Sequence, residues 1–195
     1  DWVRQADYTT RERLLTAAES LLLESGYERV SNRAVCAAAE VNPAAVHYHF
    51  GSKEALVAAL LQSRLGPLWE SSMDGLDQRD ATVAECVAAV VDPLVELAAD
   101  PIGRLHIRLL ARLVLARQDI GWTARWFSLE PFVGLLLRRY PEMHEAEART
   151  RWMLAFDLVL GQFGAPLAAD RVLSARAVTT LRAFVTAGLT ADWES

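Results

Sequence analysis

The sequence predicts an all-α protein with about nine helices arranged in two parts. Along nearly all of the 195 residues, apolar positions recur at spacings of three and four, and no segment shows the sustained alternation that is typical of strands. Apolar residues make up 52% of the chain, which is enough for a substantial core. Short predicted helices give way to longer ones near residue 55, so we expect one domain over residues 1–55 and a second over residues 56–195.

The first two helices are predicted from their end signals. The first begins at Thr9 or Thr10 and ends before Gly26, a residue that stops helices well. Ser31 is suited to cap the second helix, which is expected over residues 32–39.

The third helix and the start of the fourth have similar signals. Asn42 is suited to the N-cap and Pro43 to the first helical position, so the third helix is expected to reach about His49. Ser52 is suited to cap a long fourth helix that starts at Lys53.

Prolines divide the rest of the chain. Pro67 is expected to kink or end the fourth helix, and a loop is expected near residues 73–80. The remaining helices are predicted over residues 82–99, 100–118, 122–140, 142–163 and 174–189, with disturbances at Pro93 and Pro131.

The three short helices with a tight turn between the second and third form a helix-turn-helix pattern. Such a unit needs small inward residues where the helices cross, and an apolar anchor inside the third helix, for which Val46 is suited. The crossing residues are expected to be Ala34, Ala38 and Val41, and Val35 is expected to point inward from the second helix. The exposed face is expected to carry Pro43, Ala44, His47 and Tyr48, and it is narrow enough to enter a major groove about 12 Å wide.

The run AEVNPAAVHYHFGSKEAL, residues 39–56, resembles the signature of the TetR family of bacterial regulators. Residues 14–22, 26–27 and 30–31 match the family's first helix and its entry to the second, so the resemblance covers roughly residues 10–60. It implies that Ser31 and Arg33 lie near a phosphate and that Tyr48 and Lys53 bind phosphates. It further implies that four residues face the bases or the backbone of the DNA, namely Asn42, Pro43, Ala44 and His47.

Solvated surface charge is the alternative for Arg33, and a half-buried aromatic is the alternative for Tyr48. Glu40 departs from the family pattern, which usually has glycine in this turn, where a positive φ is favoured. A left-handed glutamate costs about 1 kcal/mol and places a carboxylate near the DNA-binding face.

The net charge of −5 argues against a broad basic surface. Residues 1–55 hold six basic side chains and eight carboxylates, so DNA affinity must come from a few well-placed contacts. The sequence starts without methionine, and we expect its natural N-terminus to lie upstream, where a basic arm would add contacts.

The last two helices carry apolar stripes that fit either an ordinary core or an interface. The family resemblance implies a four-helix bundle with a second copy, in which Ala155 and Gly161 would let helices approach closely. The expected interface residues are Trp152, Phe156, Val159, Phe163, Val178, Leu181 and Val185.

The middle of the chain mixes aromatic and basic residues, which is typical of an apolar ligand pocket with few polar groups. Packing in an ordinary core is the alternative for each residue. The expected pocket residues are Trp69, Arg104, His106, Arg108, Trp122, Trp126, Phe127 and Trp152. A further similarity of residues 47–54 and 64–68 to a subgroup with fatty-acid-responsive regulators implies a lipophilic effector, and arginine would suit an anionic head group.

The resulting hypothesis is a homodimeric, cytoplasmic repressor that leaves a pseudo-palindromic operator when the effector changes the separation of its recognition helices. The alternatives are control by a protein partner, constitutive binding, or an all-α carrier or enzyme. We expect no enzymatic activity, cofactor or metal, because no catalytic pairing or metal-ligand spacing is present. No secretory or membrane segment is predicted. Cys36 and Cys86 are expected to be small buried residues, with a redox pair as the alternative.

Overall fold

The computed structural model describes residues 2–77, 79–165 and 172–192. Within those residues the protein has nine α-helices, two short 3-10 helices and no strand, which confirms the predicted fold class. The α-helices are α1 (Trp2–Ser25), α2 (Asn32–Ala38), α3 (Ala45–Phe50), α4 (Lys53–Asp77), α5 (Val83–Leu97), α6 (Pro101–Leu115), α7 (Glu130–Arg139), α8 (Glu145–Phe163) and α9 (Ala175–Thr190). The 3-10 helices span Tyr27–Arg29 and Arg125–Phe127. None of the described helices is long and apolar enough to cross a bilayer.

The chain forms two compact units. Unit 1 runs to Arg64 and includes Asp119–Gly121, and unit 2 comprises Leu65–Gln118 and the residues from Trp122 onward. The boundary between the units lies inside α4, and the domain boundary proposed after residue 55 lies in the first turn of the same helix.

Unit 1 is built by packing α1 on α2 and α2 on α3. The stripe of α1 supplies Leu14, Leu15, Ala18 and Leu22 to the core. The guanidinium of Arg64 on α4 binds two carboxylates of α1, with Nη1 at 2.7 Å from Glu12 Oε1 and Nε at 3.5 Å from Glu19 Oε2.

Unit 2 is a helical bundle in which α5 packs on α6 and α9, and α8 packs on α6, α7 and α9. Two glycines permit close approach here. A Cβ on Gly103 would lie 1.9 Å from the carbonyl oxygen of Leu97, and one on Gly164 would lie 2.3 Å from Cβ of Ala111. A Cβ on Gly161 would meet no atom of the protomer within 4 Å, so the close approach expected there between two copies stays a prediction.

Ion pairs and hydrogen bonds join the helices of unit 2. Arg117 at the end of α6 binds Asp157 of α8 at 2.6 Å, and Arg182 of α9 binds Asp92 of α5. Arg151 of α8 binds Glu147 at 2.7 Å and donates to the carbonyls of Leu189 and Ala191 at the end of α9. The last two bonds satisfy carbonyls that have no partner inside their own helix.

Several predicted helix boundaries were wrong. α1 begins at Trp2 rather than at Thr9 or Thr10. α4 continues through Pro67 to Asp77, so the predicted loop near residues 73–80 is largely helical. The proline removes one backbone hydrogen bond, but Leu65, Trp69 and Met73 are buried along the same helix, and their burial outweighs that loss.

Two further regions differ from the predicted helices. α5 runs unbroken through a buried Pro93, and it starts with a capping box between Thr82 and Glu85. In the predicted helix over residues 122–140, only Arg125–Phe127 and α7 are helical, and residues 122–124 and 128–129 are not.

Candidate nucleic-acid interface

Ser31 starts α2 as the sequence predicted. Its hydroxyl accepts a hydrogen bond from the backbone N–H of Ala34 at 3.1 Å, the geometry of an N-cap. The cap places Arg33 in the first turn, where its side chain is exposed. The inward face of α2 carries Val35, Cys36 and Ala39.

The expected inward positions Ala34 and Ala38 are instead exposed, and Val41 is half-buried. The expectation assumed that the smallest residues mark the helix crossing. In the structure Val35, which was expected to point inward, and Cys36 are the buried residues of α2, and both are larger than alanine.

The turn after α2 has a left-handed residue at Glu40, with φ of 54°. The N–H of Glu40 donates to the carbonyl of Ala37 at 3.1 Å, and the N–H of Val41 donates to that of Cys36 at 3.0 Å. This pair of bonds is a Schellman motif, in which glycine usually takes the left-handed position. The Arg13 guanidinium donates to the Glu40 carbonyl at 3.3 Å and lies 3.8 Å from its carboxylate. The sequence prediction of a positive φ at Glu40 is confirmed, whereas the contact with Arg13 was missed.

The helix expected to enter the major groove, α3, starts at Ala45, two residues later than predicted. Asn42 acts before the helix, because its side-chain oxygen accepts from the N–H of Ala44 at 2.9 Å. Pro43 and Ala44 therefore belong to an exposed turn that leads into α3, rather than to its first turn. Cys36 reinforces the turn by donating from Sγ to the Pro43 carbonyl at 3.4 Å.

α3 separates a buried side from an exposed side. Val46 is fully buried and anchors the helix as expected, whereas Tyr48 is 77% exposed. His47 is exposed and its Nδ1 lies 3.1 Å from the Gly51 carbonyl. Phe50 is half-buried, and the Arg11 guanidinium lies 5.1 Å from its ring centroid.

Lys53 is the first residue of α4 and lies against Tyr27. Its ammonium lies 4.0 Å from the centroid of the Tyr27 ring and donates to the Tyr27 carbonyl. The Tyr27 phenol donates to Glu54 at 3.0 Å. The pKa of the Glu54 carboxyl is lowered, chiefly by a hydrogen bond from its own backbone N–H. Burial raises this pKa, but hydrogen bonds from the Tyr27 and Ser52 hydroxyls and the positive charge of Lys53 lower it further. Ser52 caps α4 as predicted, since its hydroxyl accepts from the N–H of Ala55 at 3.0 Å.

The residues expected to contact DNA thus lie on three neighbouring segments of unit 1: the start of α2, the turn into α3 with the exposed face of α3, and the start of α4. Seven of the eight residues are exposed, and Lys53 is half-buried against Tyr27. The side chain of Asn42 accepts a hydrogen bond from the N–H of Ala44, and that of His47 lies in hydrogen-bond contact with the Gly51 carbonyl after α3.

The aromatic residues expected to line a ligand pocket form two clusters in unit 2. In the first, Phe127 lies 5.9 Å from Trp69 and 5.2 Å from Trp122 between ring centroids. In the second, Phe132 lies 5.4 Å from Trp126 and 5.2 Å from Trp152.

Polar groups reach these clusters at a few points. The indole N–H of Trp126 donates to Asp74 at 3.1 Å, and that of Trp69 to the Val90 carbonyl at 3.4 Å. The indole N–H of Trp152 is buried without a hydrogen-bond partner among the described residues.

The basic residues expected in the pocket belong to α6. Arg104 donates a hydrogen bond of 2.9 Å to the carbonyl of Ala98, the residue that follows the last turn of α5. Arg108 is half-buried. His106 is buried, with 5% of its surface exposed.

The apolar stripes of α8 and α9 face the core of unit 2. Phe156 and Phe163 are half-buried, and the other five residues expected at a dimer interface are buried within the protomer. The apolar side chains that these helices expose are different: Leu154 is 63% exposed, Met153 is 38% exposed and Phe184 is 68% exposed. Helical spacing identified an apolar stripe, but a single sequence does not tell a stripe facing the core from one facing a second copy.

Neither cysteine forms a disulfide in the described part of the chain. Cys36 and Cys86 are both buried and free, as expected, and burial raises the pKa of the Cys86 thiol. No group of three histidine, cysteine, aspartate or glutamate side chains in that part could hold a metal ion.

Comparison with known proteins gives one family match. Residues 14–60 match the model described as bacterial regulatory proteins, tetR family. The HTH-type transcriptional regulator UidR of Escherichia coli K12 is 32% identical over 82 residues, which cover 40% of this chain and 42% of that protein. The matched stretch is thus less than half the length of either protein.

The fold is shared with solved structures at low identity. NalD, the secondary repressor of the MexAB-OprM multidrug efflux pump in Pseudomonas aeruginosa, is 21% identical with a TM-score of 0.59, covering 94% of this chain and 98% of that one. The fatty acid degradation regulator FadR from Bacillus halodurans is 19% identical with a TM-score of 0.60, covering 92% and 93%. These likenesses confirm an N-terminal helix-turn-helix followed by a larger helical part.

The left-handed residue in the turn gives a test of stability. Glu40→Gly is expected to stabilise unit 1 by up to about 1 kcal/mol, because glycine adopts positive φ without a steric penalty. The lost contact with Arg13 is exposed and adds little. Chemical unfolding measures the change. The control Ala38→Gly, in the ordinary helical backbone of α2, is expected to destabilise by about 0.5–1 kcal/mol. Equal destabilisation by both variants would show that Glu40 is not strained.

Proposed function

Because residues 14–60 match the model of the tetR family of bacterial regulatory proteins, we propose that this chain is a DNA-binding transcriptional regulator of that family that represses its target genes. The observation that carries the proposal is the division of α3, with buried Val46 on one side and exposed His47 and Tyr48 on the other. A short helix anchored in this way can enter a major groove and present side chains to base edges. The family is one of regulators rather than enzymes, in agreement with the prediction of no enzymatic activity.

The contacts divide by their chemistry. Arg33 and Lys53 are cations that suit phosphate oxygens, and the Tyr48 phenol suits a phosphate at the groove edge. His47 is the side chain on α3 best suited to read a base, because its ring can donate or accept a hydrogen bond. Phosphate contacts then fix the position of α3, and His47 contributes to sequence preference.

The regulator acts as a homodimer on a pseudo-palindromic operator. α3 has six residues and reads only a few base pairs, so specificity requires two half-sites. Leu154 on α8 and Phe184 on α9 are more than 60% exposed. Exposed aromatic and aliphatic side chains of this size favour burial against another protein surface, and a second copy is the occupant that the operator symmetry requires. The buried residues of the same helices pack in the core of unit 2 and hold the two helices in place beneath this surface.

A small lipophilic effector releases the repressor by binding in unit 2. The two aromatic clusters around Phe127 and Phe132 supply apolar surface, and the buried indole N–H of Trp152 supplies a hydrogen-bond donor for an acceptor on the ligand. An effector that prefers the non-binding conformation by about 3 kcal/mol shifts the equilibrium more than a hundredfold. Such a regulator acts in the cytoplasm, where its operator lies.

Control by a protein partner, or constitutive binding, is the second candidate, because unit 1 binds DNA in the same way under either form of control. An all-α carrier or enzyme is disfavoured by the family.

Two substitutions separate the roles of the DNA contacts. Lys53→Ala is expected to weaken binding of every duplex alike and to reduce the salt dependence by about one unit per protomer. His47→Ala is expected to change the preferred bases, with discrimination of about 1–3 kcal/mol lost at the affected position. Selection from random-sequence DNA followed by fluorescence anisotropy measures both. Arg176→Ala, which removes an exposed charge from α9, is the control without effect. Unchanged affinity and unchanged selected sequences for both variants would contradict the assignment of α3.

The dimer surface is tested by placing charge on it. Phe184→Glu is expected to convert the dimer to a monomer, because a buried unpaired carboxylate opposes association. Sedimentation velocity measures the state. Leu23→Glu, which charges an exposed leucine of unit 1 that is 44% exposed, is expected to leave the dimer intact. A Phe184→Glu protein that remains dimeric would exclude this surface.

Ligand gating is tested with fatty acids of increasing chain length. An effector at about a hundred times its Kd is expected to raise the Tm by about 5 °C or more and to release the selected duplex. Thermal shift and anisotropy on the same samples measure both effects. A fatty acid that stabilises the protein without releasing DNA, or a series in which none stabilises it, would favour the protein-partner or constitutive alternative.

A further inference from the structure

The single lysine of the chain is held by a tyrosine from a neighbouring element. Lys53 begins α4, and Tyr27 begins the 3-10 helix Tyr27–Arg29. The lysine ammonium lies 4.0 Å from the centroid of the tyrosine ring and donates to the backbone carbonyl of the same tyrosine. One residue therefore contacts the ammonium twice, once through its ring face and once through its main chain.

The tyrosine is itself fixed in place. It is half-buried, and its phenol donates to Oε1 of Glu54 at 3.0 Å. Glu54 follows Lys53 in α4, so both ends of the arrangement belong to the first turn of one helix. The cation lies at the ring face and the carboxylate at the hydroxyl end, and both orient the same ring.

We propose that Tyr27 is a positioning residue for DNA binding, which holds the Lys53 ammonium ready to meet a phosphate. The proposal rests on the proposed function, in which Lys53 contacts the DNA backbone. A lysine at the surface loses side-chain freedom when it binds a phosphate, and a lysine already ordered by the fold loses less. An ammonium donates three hydrogen bonds, so a bond to the Tyr27 carbonyl is compatible with a bond to a phosphate oxygen.

Positioning matters more in this chain than in a basic DNA-binding domain. Residues 1–55 hold more carboxylates than basic side chains, and Arg13 of this segment contacts the Glu40 carboxylate. A broad positive surface would tolerate a mobile lysine because neighbouring cations compensate for it. Here the contribution of Lys53 depends on its placement.

The first test is a double-mutant cycle on binding of a random-sequence duplex at low salt. Tyr27→Leu is expected to weaken binding about two- to fivefold, the effect of losing a cation–π contact. In a Lys53→Gln background the same change is expected to have no further effect, because the group that it positions is gone. Tyr140→Leu removes a tyrosine of unit 2 whose ring centroid lies 5.9 Å from the Arg139 guanidinium, and it is expected to leave affinity unchanged. Additive losses from Tyr27→Leu and Lys53→Gln would overturn the proposal.

Tyr27→Phe keeps the ring and the carbonyl but removes the bond to Glu54, and it provides a second cycle if Tyr27→Leu does not fold. It is expected to weaken binding less than Tyr27→Leu, again only when Lys53 is present. A loss that is equal in the Lys53→Gln background would overturn the proposal by showing a purely structural role.

The second test observes Lys53 without DNA. A chain with one lysine gives a single lysine ε-methylene cross-peak in a ¹³C-lysine NMR spectrum. The Tyr27 ring is expected to shift this peak upfield, and Tyr27→Leu is expected to return it to the position of an unstructured lysine, while Tyr27→Phe keeps most of the shift. An unshifted wild-type peak would overturn the proposal. Wild-type protein that binds no duplex would overturn the proposed function as well, whereas binding that weakens with Lys53→Gln but shows an additive cycle would overturn only the role of Tyr27.

Discussion

The turn between α2 and α3 determines what the recognition helix exposes. The Schellman bonds from Glu40 and Val41 reverse the chain so that α3 returns across α2 with Val46 buried. With that side chain inside, the helical repeat places His47 and Tyr48 outside. The turn requires a left-handed residue, and the chain supplies a glutamate there at an energetic cost. The proposed DNA-binding surface of unit 1 therefore depends on a strained residue that Arg13 contacts from α1.

A second constraint is the shortage of positive charge in unit 1. Several of its basic side chains are already committed inside the unit: Arg11 lies over Phe50, Arg13 contacts Glu40, and Arg64 joins α4 to two carboxylates of α1. These contacts stabilise the scaffold that presents α3. In the proposed mechanism DNA binding then depends on the placement of a few cations rather than on net charge, and the ordering of Lys53 by Tyr27 contributes to that placement.

Local signals predicted most of the helix starts. Ser31, Ser52, Asp100 and Ser174 were each expected to begin a helix, and each accepts a hydrogen bond from the first turn. These predictions depend on a few adjacent residues and need no knowledge of the rest of the fold. Pro67 was misjudged because the burial of Leu65, Trp69 and Met73 keeps α4 helical, and that burial arises from contacts with distant segments.

The candidate sites show the same division. The exposed face of α3 could be predicted because one anchor residue, Val46, sets the orientation of a short helix. The surface of α8 and α9 could not, because each helix carries apolar residues on more than one side. Val185 packs inside the protomer while Phe184, its neighbour in sequence, is exposed, and only the packed structure tells them apart. The aromatic residues of unit 2 were identified individually, but their grouping around Phe127 and Phe132 depends on tertiary contacts.

The salt dependence of DNA binding by the wild-type protein tests most directly the claim that a few placed cations carry the affinity. If Arg33 and Lys53 supply the charged phosphate contacts in each protomer of a dimer, the logarithm of the binding constant for a selected duplex should fall with the logarithm of salt concentration with a slope of about −4. A slope steeper than about −8 would contradict the account, because it would require a broad basic surface. Absence of binding at low salt would contradict it as well.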